Sequence, residues 1–196
     1  IIAVDPDADR CALAVPDPGA EAGWSPLSGD QIGCLLGEFL AARGLEGSLA
    51  NSIVSSRLLA RIAEAHGLVH HTTLTGFKWI ARAPKLAFGY EEAIGFCPNP
   101  QIARDKDGIA SSVVAASLFA ALKVEGRTAW DELDRLAHAH GLHVTGPLTF
   151  RVEEIEQIPA GMARLRAQPP SVLAGSPVVE VSDLSEGYRG LPPTDG

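Results

Sequence analysis

From Ser28 to Gly141 the chain alternates amphipathic stretches that carry helix-cap signals with short apolar runs. Ser28 and Gln31 have the spacing of a capping box. Behind them Ile32, Leu35, Leu36, Phe39 and Leu40 share one helical face, and Gly44 supplies the stop. A second helix is expected from Ser55 or Ser56, with Leu58, Leu59 and Ile62 inward and Gly67 at its end. A third spans about 108 to 123, with Gly126 beyond it. A fourth is capped by Thr128 and Asp131, turns Leu133 and Leu136 inward and ends at Gly141. Between the helices, residues 48–54, 68–74 and 86–89 read as strands. Such alternation predicts an α/β layered domain. Outside it the pattern changes. "AVPDPGAEAGWSP" reads as loop or linker from its Pro and Gly content. After Gly141, "LTFRVEE", "AGMARLRA" and "SPVVEVSDL" read as strand, helix and strand, too little to close a stable domain alone.

The chain opens "IIAVDPDADR": an apolar run ending in Asp5, Asp7 and Asp9, with Arg10 next. In an extended strand Asp5 and Asp9 would lie roughly 13 Å apart. That is too far to share an ion whose oxygen ligands sit at about 2.1 Å. A helix would scatter the three around its surface. Only a tight loop gathers them, and Pro6 helps by fixing one φ angle. Three crowded carboxylates repel one another, so a divalent cation is their natural partner. An EF-hand is excluded, because Arg10 stands where that motif needs Gly and Pro16 where it needs Glu. A haloacid-dehalogenase-type phosphatase also places Asp-x-Asp after an apolar strand, but Asp9 stands where such enzymes have Thr or Val. A solvated acidic turn accounts for the spacing as well.

Net charge of −8 argues against a general affinity for nucleic acid or an anionic membrane, and leaves room for local positive sites that hold a phosphorylated small molecule. No apolar run approaches membrane-spanning length. No signal peptide precedes the first strand, although a chain that opens inside a strand reads as cut. Cys11, Cys34 and Cys97 are odd in number and widely spaced, which disfavours a disulfide framework or structural zinc and fits a reducing cytoplasm. His138, His140 and His143 fall on different faces at a helix end without Cys or carboxylate support, so no zinc cluster is expected there. His70, His71 and the three tryptophans, Trp24, Trp79 and Trp130, read as packing or surface residues.

The order of motifs resembles a known family. "DPDADR" resembles the metal loop of the α-D-phosphohexomutases, the phosphoglucomutase and phosphomannomutase superfamily, usually D-G-D-A/G-D-R. "LSGDQIGCLLGEFL" is similar to the opening helix of that family's third domain. "IVSSRLLARIA" and "TLTGFKWI" resemble its next segments, "GYEEAIGF" its sugar-recognition loop and "RDKDGIASS" the following lysine loop and helix. "GYRGLPPTDG" resembles the lead into the fourth domain. The resemblance implies a three-layer α/β/α domain with partial flanking domains: 1–25 as the end of domain two with the metal loop, 26–141 as domain three, and 142–196 as the first part of domain four. It implies that Asp5, Asp7 and Asp9 bind Mg²⁺, that Arg10 and Lys106 serve the transferring phosphoryl group, and that Glu91 accepts hydrogen bonds from sugar hydroxyls. Thr75 and Lys78 would line the same cleft. Ala93 stands where the common motif has Ser, a form that resembles a branch including phosphopentomutases.

The implied function is that of a fragment of a phosphosugar mutase, moving a phosphoryl group between the 1- and 6-positions of a hexose through a phosphoserine. Two other readings stand beside it: a phosphopentomutase of the same superfamily, or a metal-dependent phosphatase with Asp5 as nucleophile. A metal or sugar-phosphate binding module is a further reading of the isolated chain. Nothing here resembles the family's T-A-S-H-N-P phosphoserine loop or its R-x-S-G-T-E-P phosphate loop, so the chain alone is expected to be inactive. Its partner would be a sugar phosphate, not nucleic acid or membrane, and its oligomeric state stays open. Without the resemblance, Glu91 and Glu92 read as a solvated loop pair, and Arg104 to Asp107 as a surface cluster capping the next helix.

Overall fold

In the computed structural model, residues 1–194 are described. They form two compact units, Ile1–Thr145 and a second from Gly146 onward. In the first, β1 (Ile2–Val4) and β2 (Cys11–Pro16) pair antiparallel, and β3 (Trp24–Pro26) extends the same sheet on the far side of β2. The chain then runs through α1 (Gly29–Ala41), β4 (Ser48–Ser52), α2 (Leu58–Ala65), β5 (Val69–Thr73), α3 (Phe77–Ile80), β6 (Leu86–Glu91), β7 (Gly95–Cys97), α4 (Gly108–Val124) and α5 (Ala129–His140). Strand order in the second sheet is β5-β4-β6-β7; β4 runs parallel to β5 and β6, and β7 returns antiparallel to β6.

The caps form where the sequence places them. Ser28 and Gln31 make a reciprocal capping box on α1, as do Thr128 and Asp131 on α5, and Asp107 caps α4 through the Ala110 N–H. One face of the sheet carries α1 and α2, packed over Leu49, Phe88 and Tyr90. The opposite face is closed by the single turn of α3 and the segment up to Ala83, over Ala50, Leu86 and Cys97. The α/β/α layering is therefore thick on one side and thin on the other. No single helix is long and apolar enough to cross a membrane.

Parallel strands align their C-terminal ends. Ser52, Thr73 and Glu91 thus leave the sheet at one edge, the edge at which open α/β sheets place ligands.

The second unit contains α6 (Gln157–Ala167), a hairpin of β8 (Val172–Leu173) with β9 (Ser176–Pro177), and a 3₁₀ turn at Leu184–Glu186. None of its described residues is buried.

Several expected boundaries are corrected. The segment 14–26, expected as loop, supplies the end of β2 and all of β3, because Ala14, Val15 and Pro16 find partners in Pro26, Ser25 and Trp24. Helix α2 begins at Leu58 rather than Ser55 or Ser56, since Ser55 and Ser56 are used as loop anchors. Strand β7 has no counterpart among the expected strands. Residues 148–154 form no strand despite their alternation; Leu148 and Phe150 are exposed, and no described strand lies alongside to satisfy their backbone. Of "SPVVEVSDL" only Ser176 and Pro177 are strand. The last two residues of "GYRGLPPTDG" lie outside the described residues.

Candidate functional site

The aspartates sit in a tight loop between β1 and β2. The Ala8 N–H donates to the Asp5 carbonyl at 3.0 Å, and Ala8 takes a left-handed φ of 59°. The Arg10 N–H donates to the Asp5 carboxylate at 3.0 Å, which holds that carboxyl below its ordinary pKa. Asp5, Asp7 and Asp9 each offer a carboxylate oxygen, all within 4.8 Å of one another. Ligands about 2.1 Å from one ion stand roughly 3.0–4.2 Å apart in an octahedron, so a small adjustment lets all three share a cation. Three carboxylates with no nitrogen or sulfur suit a hard cation. Among the described residues, His138, His140 and His143 make no such group.

Two other elements lock this loop. The Cys11 N–H donates to the Ile94 carbonyl at 3.1 Å, and Arg10 bridges to Gly95, stitching the loop to the β6–β7 hairpin. The Gly108 N–H, at the start of α4, donates to the Ala8 carbonyl at 3.0 Å. A Cβ on Gly108 would fall 2.4 Å from the Arg10 carbonyl oxygen, so only glycine allows that approach.

Lys106 lies just before α4. Its Nζ is 3.1 Å from Asp9 Oδ2, 3.6 Å from Asp105 Oδ1 and 5.6 Å above the Phe77 ring. Burial pulls its pKa down, but the Asp9 hydrogen bond and the charges of Asp105 and Glu91 outweigh that and leave it raised. Glu91 closes the group. A Cβ placed on Gly95 would be 2.5 Å from Lys106 Cδ and 2.8 Å from Glu91 Oε1, so both side chains lie across that glycine. Burial pushes the Glu91 carboxyl up; Lys106 counteracts and the neighbouring charge of Glu92 adds to it. Arg10 is exposed, with Nε 3.8 Å from Asp9 Oδ1.

The structure thus gathers Asp5, Asp7, Asp9, Arg10, Glu91 and Lys106. Thr75 and Lys78 are exposed on the segment after β5, which Phe77 ties to Lys106; Lys78 Nζ stands 5.7 Å from the Trp79 ring. Ala93 is exposed at the tip of the β6–β7 turn. Glu92 corrects the expectation of a solvated pair: its carboxylate accepts from the Ser52 and Ser55 hydroxyls. Glu92 lies one residue past the end of β6, where no local pattern marks it, and its partners come from the distant end of β4 and the loop after it.

Residues 28–139 match the domain described as phosphoglucomutase/phosphomannomutase, alpha/beta/alpha domain III. The chain is 43% identical over 185 residues to a Haemophilus influenzae protein named "Probable phosphomannomutase", covering 93% of this chain and 38% of that protein. It is 30% identical over 216 residues to human phosphopentomutase, covering 98% of this chain and 35% of that one. The chain therefore spans little more than a third of these relatives. In structure it resembles the Paramecium phosphoglucomutase parafusin, with a TM-score of 0.54 and 22% identity over 72% of this chain and 24% of that one. It also resembles Aspergillus fumigatus N-acetylphosphoglucosamine mutase in complex with GlcNAc-6P and magnesium, with a TM-score of 0.51 and 16% identity over 85% of this chain and 43% of that one. At these identities the structural likeness shows the fold.

Proposed function

The chain belongs to the phosphoglucomutase/phosphomannomutase family, and from that premise we propose that it carries the metal loop and sugar-recognition domain of a phosphosugar mutase. The observation that carries the proposal is the meeting of Glu91, Lys106 and the aspartate loop around Gly95. A carboxylate able to accept sugar hydroxyls, a cation and three clustered aspartates set side by side can position a sugar and offset phosphoryl charge.

In this reading Asp5, Asp7 and Asp9 hold Mg²⁺, which when bound offsets charge on the phosphoryl oxygens. Lys106 supplies a positive charge beside Asp9 and over the Phe77 ring, and its aliphatic stem lies against Gly95. Arg10 presents its planar fork of donors at the exposed side of the loop, suited to a phosphate. Glu91 orients the sugar. Thr75 and Lys78 border the same strand edge. The parent enzyme would move a phosphoryl group between the 1- and 6-positions of a hexose through a phosphoserine. A cytoplasmic location belongs to the same proposal, supported by three buried free thiols.

A pentose phosphate is the second reading. It is favoured by Ala93, which offers no hydroxyl to a sugar, and by the human phosphopentomutase relative. The test is a coupled assay of the full-length parent with glucose 1-phosphate, mannose 1-phosphate and ribose 1-phosphate, Mg²⁺ and the matching bisphosphates. Turnover of one of them, abolished by Asp7→Asn, supports the proposal. No turnover of any, or full activity in the Asp7→Asn enzyme, overturns it.

A further inference from the structure

Glu91 and Glu92 are neighbours that do different work. Glu91 reaches across Gly95 toward Lys106. Glu92 turns the other way, under the loop between β4 and α2. Its Oε2 accepts a hydrogen bond from Ser52 Oγ at 2.9 Å and from Ser55 Oγ at 3.0 Å. The two hydroxyl oxygens are 2.8 Å apart, and their residues are only 1% and 7% exposed. Two hydroxyl protons among three crowded oxygens are best spent on the carboxylate, where both bonds are charge-assisted.

The backbone is held as firmly. A Cβ at Gly29 would lie 2.0 Å from the Glu92 carbonyl oxygen, so the first turn of α1 rests directly on this peptide. Asp30, next along α1, accepts from the Ser56 N–H at 2.7 Å and from the Tyr90 hydroxyl at 2.8 Å. Both ends of the contact are thereby tied to one carboxylate: Tyr90 precedes Glu91, and Ser56 follows Ser55. The turn needs such support. Ile94 sits at φ 57°, a left-handed conformation that is costly for a β-branched residue and persists only where its surroundings impose it.

We propose that Glu92, clamped by Ser52 and Ser55, is the positioning residue that fixes the β6–β7 turn and so aims Glu91 toward Lys106 and the aspartate loop. This rests on the reading of Glu91 as the sugar-contacting carboxylate. Glu92 touches no substrate; it acts through Glu91.

The test uses NMR on the 196-residue chain with Mg²⁺, titrating mannose 1-phosphate and ribose 1-phosphate while following the amides of residues 91–95. Glu92→Ala and the double variant Ser52→Ala/Ser55→Ala remove the clamp. Glu92→Gln keeps an accepting oxygen at the same reach, and Ser55→Ala alone guards against a fold lost in the double variant. The clamp-breaking variants should weaken sugar-phosphate binding on the order of tenfold and broaden the turn amides. Their Mg²⁺ affinity should fall less than their sugar-phosphate affinity, because the aspartate loop keeps its Gly108 contact, and Glu92→Gln should recover most of the sugar affinity. Parental sugar affinity and sharp turn amides in folded Glu92→Ala and Ser55→Ala chains would overturn the clamp. If the unmodified chain shows no response to either sugar phosphate, yet its turn amides broaden in the variants, the clamp stands and the reading of Glu91 falls.

Discussion

His70 refuses a proton that the unfolded chain accepts. Burial, then the charge of neighbouring His71, lowers its pKa from 6.5 to about 4. Its Nε2 lies 2.9 Å from Asn51 Oδ1, so the neutral ring donates there, and Asn51 Nδ2 in turn donates to the Ser56 carbonyl at 2.9 Å. Between the two pKa values the unfolded state binds more protons than the folded state. Stability therefore falls as pH drops from about 6.5 to about 4, by up to about 3 kcal/mol, and this contribution is flat below that range. Urea titrations at pH 7 and pH 4.5 should show the drop, and His70→Gln should remove much of it. An identical drop in the variant would assign the effect to other groups. A second prediction at this scale concerns Asp7, the exposed member of the aspartate group. Calorimetry should show weak Mg²⁺ binding to the chain and weaker binding in Asp7→Asn; equal affinities would remove the loop as the site. These aspartates were legible in the sequence because only a loop can gather that spacing. Glu92 was not, because a charge pair in a loop looks solvated until a nonlocal strand end brings Ser52 and Ser55 to it.

Helix α1 shows what packing adds to helix propensity. Gly29, Gly33 and Gly37 recur every fourth residue, so they share one side of the helix. A Cβ at Gly33 would stand 2.5 Å from the Tyr90 ring, and one at Gly37 would stand 2.6 Å from Leu59 Cδ1. The stripe lets the helix lie on β6, which carries Tyr90 and Glu91. Gly33→Ala gains about 1 kcal/mol of helix propensity and incurs about 1–3 kcal/mol of overpacking. The net expectation is a loss of about 1 kcal/mol. Gly161, inside α6, faces open space: a methyl group added there would meet nothing within 4 Å, so Gly161→Ala should instead increase helicity. Circular dichroism and thermal unfolding read both; a Gly33→Ala chain more stable than the parent would show that the approach is looser than described. Elements whose signals are local were legible: α1, α4 and α5 begin at their caps. Elements defined by a distant partner were not. The strand β7 exists because Cys97 and Phe96 pair with Gly89 and Tyr90, and the alternation in 148–154 finds no described partner.

At the scale of the whole molecule, the topology explains why distant motifs meet. Parallel β4, β5 and β6 release their loops at one edge, and the aspartate loop is stitched there by Cys11 to Ile94 and by Gly108 to Ala8. The resulting site gathers three aspartates, a lysine and a glutamate, but phosphoryl movement between two sugar oxygens also needs a group to carry the phosphoryl. Ser111 and Ser112 lie inside α4, where their hydroxyls donate to the Asp107 and Gly108 carbonyls at 2.6 and 2.7 Å. Ser55 is bound to Glu92, and the Ser56 hydroxyl accepts from the Leu58 N–H at 3.2 Å. Each of these four hydroxyls is engaged in holding the fold. Positioning of reacting groups contributes roughly 7–11 kcal/mol in favourable cases, and none of these four hydroxyls is free to be positioned as the carrier. The 196-residue chain on its own should therefore bind sugar phosphate and Mg²⁺ without turning the sugar over. A coupled assay with glucose, mannose and ribose 1-phosphates and their bisphosphates should read the background rate, with an Asp7→Asn chain as the control for a contaminating mutase. Turnover that survives purification and vanishes in that control would mean that the chain holds a phosphoryl carrier of its own: one of these four serines with its hydrogen bonds broken during the reaction, or a nucleophile outside them.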